Sequence, residues 1–266
     1  MDFMRHMDGG PGEMQVAGLA FRPRAATLRA FMKFLFLLPL LLLAACSAPS
    51  GSSHGKSELG NRPGPRGFRT VVIDAGHGGK DSGAVSRFNG QREKDLALDT
   101  ARRVQAELGG SFRVVQMRTD DRFIDLDERV VRATRAGDVL VSVHYNSGPS
   151  HLRGPETFYW RVDSYSLARR LQQAMAGVTS GETSRGLVRR RLRLTRNPAI
   201  PCVLIECGYL SNPSEARACS SPEYRQRMAR AIASAIREQA ASGDAGMGPL
   251  PRHIDAPPSR PTDAPE

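Results

Sequence analysis

Two histidines in this 266-residue sequence stand at the ends of apolar runs, where a strand-end side chain could bind a metal ion. His77 follows the run at 70–74, within Asp-Ala-Gly-His-Gly-Gly-Lys-Asp, and His144 ends the run at 139–143. Imidazole is a common ligand of zinc and of other transition metals. His151 lies in the same central part of the chain but lacks such a context. His77 and His144 are therefore candidate metal ligands.

An acidic side chain ends a third apolar run. Glu206 follows the run at 202–205, and a carboxylate at such a position is rarely buried without a partner or a role. A catalytic zinc site uses three protein ligands and leaves one position for water. The two histidines supply two ligands. The residue types leave the third open, because four acids are all suitable: Glu93, Asp95, Glu107 and Glu128.

The spacing of glycines and cysteines argues against a phosphate-binding loop and against a structural zinc site. The glycine-rich stretch at 74–81 is not a Walker A phosphate loop, because Asp74 stands at the required glycine position and Asp81 follows Lys80. The four cysteines contain no Cys-x-x-Cys pair, so a structural zinc site of the usual spacing is not expected.

Alternating apolar strands and amphipathic helices position these residues. Strands are predicted over 70–74, 112–117, 138–144, 156–161, 189–194 and 202–206, and helices over 93–108, 125–136, 164–176 and 222–240. This order predicts a single α/β domain with a mostly parallel sheet of about six strands and helices on both faces. In such a sheet, functional side chains collect just past the strand ends. The predicted strand at 189–194 alternates Arg with Leu, so one of its faces would be basic, either to bind an anionic polymer or to protect a sheet edge.

The N-terminal region has the features of an export signal. Residues 34–45 are almost entirely apolar and follow Lys33, but the run is shorter than the ~20 residues of a spanning helix. The run ends in Leu-Ala-Ala-Cys at 43–46, which resembles the lipobox of bacterial lipoproteins. That resemblance implies that Cys46 is acylated and anchors an exported protein to a membrane facing the cell wall. Since Ser47 follows the cysteine, we expect the inner face of the outer membrane if the cell has two membranes.

The chain divides into four predicted regions. Residues 1–46 form an N-terminal extension with the signal, 47–67 a flexible linker, 68–240 the catalytic domain and 241–266 a disordered Pro-rich tail. The formal net charge is +11. Nucleic acid is not the expected partner, because no basic helix interleaved with aromatic residues occurs and the N-terminus directs the chain out of the cytoplasm. An anionic polymer or lipid surface suits this charge.

Four motifs in order resemble the zinc-dependent N-acetylmuramoyl-L-alanine amidases of the amidase-3 type. They lie at 74–84, 93–95, 142–146 and 206–212, and the resemblance extends over about 70–239. It implies that His77, Glu93 and His144 bind one zinc ion and that Glu206 is catalytic. Departures are mild and remove no ligand: Ala75 where Pro is commoner, Tyr145 where Ala is commoner, and Cys207 where Thr is common.

The implied activity is hydrolysis of the amide bond between N-acetylmuramic acid and the L-alanine of the peptidoglycan stem peptide. Two alternatives are a zinc peptidase that cuts within the stem peptide, although HExxH is absent, and a non-enzymatic wall-binding protein, although all four site residues are intact. Some relatives carry an inhibitory helix that an activator protein removes. Here the longest irregular stretch, 177–186, is short and has Glu182 as its only carboxylate. We therefore expect no activator protein to be required.

Overall fold

The computed structural model describes residues 59–60, 63–179, 184–197 and 199–251. Cys46, the apolar run before it, and Glu182 lie outside the described residues, so the expectations for them stay predictions. No helix within the described ranges is both long and apolar enough to cross a membrane.

One mixed sheet of six strands forms the framework. Its strands are β1 (Thr70–Ala75), β2 (Arg113–Gln116), β3 (Val139–Asn146), β4 (Glu156–Tyr159), β5 (Gly186–Arg189) and β6 (Cys202–Tyr209). Their order across the sheet is β2-β1-β3-β6-β4-β5. Strands β2, β1, β3 and β6 are parallel, whereas β4 pairs antiparallel with β6 and parallel with β5. The predicted mostly parallel sheet is confirmed, and the carboxyl ends of β1, β3 and β6 meet at one edge.

Helices cover both faces of this sheet, as predicted. They are α1 (Glu93–Leu108), α2 (Leu126–Ala136), α3 (Tyr165–Val178), α4 (Pro213–Ser220) and α5 (Pro222–Ser242), with a short 3-10 turn at Val162–Ser164. Alternate strand residues point to opposite faces. Val71, Val141 and Ile205 pack with α1, α3 and α5 in the larger core, while Val72 and Leu140 pack on the side of α2.

The predicted strand over 189–194 is wrong. Strand β5 ends at Arg189, and the chain then turns. The turn closes with local bonds, because Arg196 N donates to Leu192 O at 3.0 Å and Asn197 N donates to Leu194 O at 3.0 Å. The alternation of Arg and Leu therefore does not create a basic strand face.

The packed unit extends past the boundaries expected at 68 and 240. Gly67 N donates to Ala240 O at 2.8 Å, and Gly64 N donates to the Asp244 carboxylate at 2.9 Å. Met247, beyond the end of α5, is buried. The segments just before β1 and just after α5 therefore close against each other at the amino-terminal edge of β1.

Candidate metal centre

Three buried side chains from three elements converge at the carboxyl edge of the sheet. His77 follows β1, Glu93 is the first residue of α1, and His144 lies in β3. Each is less than a tenth exposed, and their ligand atoms lie within 4.8 Å of one another. The structure thus brings together the two histidines indicated by the strand ends and the glutamate indicated by the family resemblance.

The other acids considered as a third ligand are engaged elsewhere. Asp95 pairs with Arg92, Glu107 accepts from Gln226, and Glu128 pairs with Arg132.

One carboxylate oxygen is the centre of this group. Glu93 Oε1 lies 3.1 Å from His77 Nε2 and 2.8 Å from His144 Nδ1, and Tyr145 N donates to it at 3.1 Å. Glu93 Oε2 accepts from Ala84 N at 2.9 Å. Two imidazole nitrogens and a carboxylate converging in a buried site are a donor set that could hold a divalent metal ion.

The charges of these groups are coupled. Burial alone would lower the pKa of His77, but hydrogen bonds and charge from Glu93 and Asp81 outweigh it and raise that pKa to about 9. Burial would raise the pKa of Glu93, but the two histidines hold it below its ordinary value. In the metal-free protein at neutral pH, His77 is therefore protonated, and a metal ion must displace that proton.

Asp81 sets the orientation of the His77 ring. His77 has a positive φ of 57°, and its Nδ1 lies 2.7 Å from Asp81 Oδ2. The other oxygen of Asp81 accepts from Gly83 N at 2.9 Å, so the carboxylate itself is fixed. With Nδ1 directed at a carboxylate, Nε2 faces Glu93 and is the nitrogen left for a metal.

Two buried arginines hold the backbone that carries His77, and sequence reasoning missed both. Arg129 from α2 pairs with Asp74 and donates to His77 O at 2.6 Å. Arg118, which follows β2, donates to Ala75 O at 2.9 Å and to Gly76 O at 2.8 Å. Their guanidinium groups satisfy carbonyls that the turn leaves without strand partners. No local pattern distinguishes these arginines from exposed ones.

Glu206 lies beside the three-residue group without being one of its members. In the sheet register, Glu206 on β6 is opposite His144 on β3 and opposite Glu156 on β4, so all three side chains share one face. Glu206 is partly exposed. A carboxylate in this position can exchange protons with a molecule bound next to His144.

A second carboxylate, Glu156, was also missed. It is buried and accepts from Asn146 Nδ2 at 3.1 Å and from Tyr209 OH at 2.8 Å. Burial, with the help of Glu156, raises the pKa of Tyr209 to about 12, so its hydroxyl stays protonated as a donor. These two bonds hold the Glu156 carboxylate between Asn146 and Tyr209.

A groove of about 300 Å³ opens beside the two histidines on the α2 side of the sheet. Its apolar lining includes Phe123, Leu126, Leu192, Leu194 and Leu204, and Arg193 also lines it. Phe123 and Leu126 are among the few large apolar side chains that remain exposed in the described part of the chain. The groove therefore leads to the group of candidate metal ligands.

A protein-family model, a curated relative and solved structures all match this chain to N-acetylmuramoyl-L-alanine amidases. The family described as N-acetylmuramoyl-L-alanine amidase matches residues 71–238. Among curated proteins, the uncharacterised protein YqiI of Bacillus subtilis is 39% identical over 203 residues, covering 74% of this chain and 90% of YqiI. The N-acetylmuramoyl-L-alanine amidase LytC of the same organism is 33% identical over 193 residues, covering 70% of this chain but only 38% of LytC.

Solved structures with this fold include those of two amidases. The N-acetylmuramoyl-L-alanine amidase of Clostridium difficile 630 matches with a TM-score of 0.62 and 34% identity, over 65% of this chain and 97% of that one. The catalytic domain of the amidase CwlV from Bacillus (Paenibacillus) polymyxa var. colistinus matches with a TM-score of 0.61 and 39% identity, over 64% of this chain and 97% of that one.

Proposed function

The chain belongs to the N-acetylmuramoyl-L-alanine amidase family, a family of hydrolases, and we propose that it is a zinc-dependent enzyme of the cell wall. Its substrate is the amide bond between N-acetylmuramic acid and the L-alanine of the peptidoglycan stem peptide. The observation that carries this proposal is the buried convergence of His77, Glu93 and His144 with Glu206 alongside.

The residues present suit zinc. One glutamate oxygen and two imidazole nitrogens are together three ligand atoms of the types that zinc prefers. A zinc ion held by three such ligands would have a position left for water. Zinc held by His77, Glu93 and His144 would supply Lewis acidity, which lowers the pKa of water toward about 7 and polarises a carbonyl.

Glu206 is the residue for proton transfer. As general base it accepts a proton from the attacking water while the water oxygen bonds to the amide carbonyl carbon. The carbon–nitrogen bond then breaks, and Glu206 returns the proton to the nitrogen of L-alanine. The products are a lactyl carboxylate and a peptide with a free amino terminus. The position of Glu206 opposite His144 in the sheet supports this role, because Glu206 is then a neighbour of a proposed metal ligand and not itself one of the three.

The decisive experiment separates metal binding from proton transfer. Glu206→Gln in the full-length protein should retain stoichiometric zinc but lose activity on purified peptidoglycan by about 10²–10⁴-fold, the range of general acid–base groups. Glu128→Gln is a matched control, because this exposed acid on α2 pairs with Arg132 and lies outside the metal centre. Near-wild-type activity in Glu206→Gln would contradict the role of Glu206.

Product analysis distinguishes this function from its alternatives. Mass spectrometry of the digested wall should show release of whole stem peptides, and a chelator should abolish it. Shortened stem peptides would indicate a zinc peptidase. Intact wall with metal-dependent binding would indicate a non-enzymatic wall-binding protein.

Export and membrane attachment form a separate part of the proposal. Acylation of Cys46 would attach the protein to a membrane, with the residues between Cys46 and the packed unit as the tether. Cys46→Ser should move the protein from the membrane fraction to the soluble fraction, because it removes the residue that would carry the acyl chains, and stable attachment needs more than one lipid signal. Unchanged fractionation would exclude this anchor.

The enzyme should also need no activator. Purified full-length protein with zinc should digest peptidoglycan alone, and activity that appears only after a second protein is added would overturn this expectation.

A further inference from the structure

The groove beside the metal centre has a largely apolar wall, although Asp74, Asp81 and Asp125 also line it. It starts at His77 and His144 and passes between the first turn of α2, with Leu126, and the turn that carries Leu192 and Leu194. Leu126 is 37% exposed although it faces this channel. Exposed apolar side chains lining a concave surface commonly mark a ligand-binding site. A molecule whose reacting bond lies at the metal centre would extend along this channel.

A cationic side chain is positioned in this apolar channel. Arg193 Nε donates to the Asp127 carboxylate, which fixes the guanidinium plane. Within the described residues its terminal amino groups have no hydrogen-bond partner, and its side chain is 24% exposed. A guanidinium held through Nε still presents two parallel N–H donors, a geometry that matches a carboxylate.

Arg129 also lines the groove but cannot take this role. Its donors are used by Asp74, Ile124 O, Ala75 O and His77 O, so it serves the fold of the metal-binding turn. Arg193 is therefore the guanidinium in this wall that is arranged for a ligand.

We propose that the stem peptide of the substrate lies in this groove and that Arg193 binds the stem-peptide carboxylate nearest the scissile bond, that of the second residue. This inference rests on the proposed amidase function. Alanine methyl groups and the methylene chain of a γ-linked glutamate suit the leucine walls, and the free α-carboxylate of that glutamate matches Arg193.

The glycan half of the substrate fits this groove less well. Sugar hydroxyl groups placed against Leu126, Leu192 and Leu194 would lose hydrogen bonds to water without replacement. The exposed ring of Phe123 does not offer a free stacking face on the side of Lys80, whose Nζ lies 4.5 Å from the ring centroid. The glycan is therefore assigned to the side of the metal centre away from the groove.

The test compares two synthetic substrates that differ at one group. N-acetylmuramoyl-L-Ala-γ-D-Glu has the free α-carboxylate, and its γ-D-isoglutamine counterpart has a neutral amide there. The full-length zinc-loaded protein should cleave the acid with a kcat/KM at least about 10-fold higher, the size expected for one charge-assisted pair. Arg193→Gln should abolish this preference, because it should lower kcat/KM for the acid substrate far more than for the amide substrate.

Arg191→Gln is the matched control. It is the same substitution two residues away, and Arg191 does not line the groove. It should keep the full preference for the acid. Arg193→Lys should retain only part of the preference, because an ammonium group keeps the charge but loses the paired donors. Zinc content, measured for each variant, checks that the centre is intact.

A binding measurement separates this inference from the proposed function. Zinc-loaded Glu206→Gln, titrated with the two fluorescently labelled muropeptides, should bind the acid more tightly, and Arg193→Gln added to it should equalise the two affinities. Equal cleavage of both substrates by wild type, or an equal loss on both in Arg193→Gln, would overturn the groove assignment while leaving the amidase function intact. If wild type cleaves neither substrate but binding still depends on Arg193, the amidase function fails and the carboxylate site stands.

Discussion

Gly83 lies so close to the metal centre that a single methyl group there should disturb metal binding. A Cβ atom at this position would lie 2.6 Å from Glu93 Oε2 and 2.6 Å from His77 Cδ2, whereas ordinary contacts begin at 3.4 Å. Both neighbours are proposed ligands. Metal sites tolerate displacements of about 0.2 Å in ligand distance, so relief of this clash would carry the ligands out of range.

Gly90→Ala provides a control for backbone strain. Gly83 has φ of +58° and Gly90 has φ of +70°, so alanine costs roughly 1–2 kcal/mol of conformational energy at either position. A Cβ at Gly90 meets no atom within 4 Å. The difference between the two variants therefore isolates the contact with the metal-binding side chains.

Zinc affinity is the measurement, by competition with a chromophoric chelator, together with urea unfolding of the metal-free proteins. Gly83→Ala should bind zinc at least about 10-fold more weakly than wild type, a loss typical when groups supporting the ligands are altered. Gly90→Ala should match wild type in zinc affinity while losing stability. Equal zinc affinities in the two variants would refute the reasoning, because displacing His77 and Glu93 would then have no effect on metal binding.

Three further predictions concern the groups around the ligands. Asp81→Asn should weaken zinc binding by about 10–100-fold, because an amide cannot accept from both His77 Nδ1 and Gly83 N. The partly exposed Asp95→Asn should not weaken it, because Asp95 pairs with Arg92, and chelator competition measures both variants. Arg129→Lys should lower both the free energy of unfolding and the zinc affinity, because one ammonium group cannot replace the bonds to Asp74 and to the carbonyl of His77. Arg132→Lys, on the exposed side of the same helix, should change neither quantity. In metal-free protein, the stability contributed by protonated His77 is fully present below pH 6.5 and is lost as pH rises through about 9, because the pKa of His77 is raised in the folded state. The loss should not exceed about 3.5 kcal/mol. Urea unfolding across this pH range should show the fall, and a flat profile would contradict it.

The central strands and two of the candidate ligands follow from local sequence. An apolar run that ends in histidine predicts a buried strand with the imidazole at its carboxyl end, and parallel pairing then places His77 and His144 at one edge. The third member of the group could not be chosen from residue types, because all four candidate acids, Asp95 included, lie on predicted helices. Its selection depends on how α1 packs on the sheet, which is tertiary information.

Other features were missed for different physical reasons. The clamp formed by Arg118 and Arg129 arises from long-range contacts to backbone carbonyls, for which a single sequence carries no signal. Helix α4 had a local signal that was overlooked, since Asn212 accepts from Ser214 N and Glu215 N as its N-cap and Pro213 is its first residue. The prediction of a strand over 189–194 was wrong because the alternation of Arg and Leu does not indicate the turn that closes at Asn197.

The closure of the two ends of the folded unit determines how the protein can be handled. Gly67 and Ala240 are bonded at the amino-terminal edge of β1, while His77 and His144 lie at the carboxyl edge of β1 and β3. A bead or a fluorescent protein joined through residues before 63 or after 251 therefore meets the unit on the side away from the groove. Coupling to a solid support through either end should leave the metal centre facing the surrounding solution, where insoluble wall fragments can reach it.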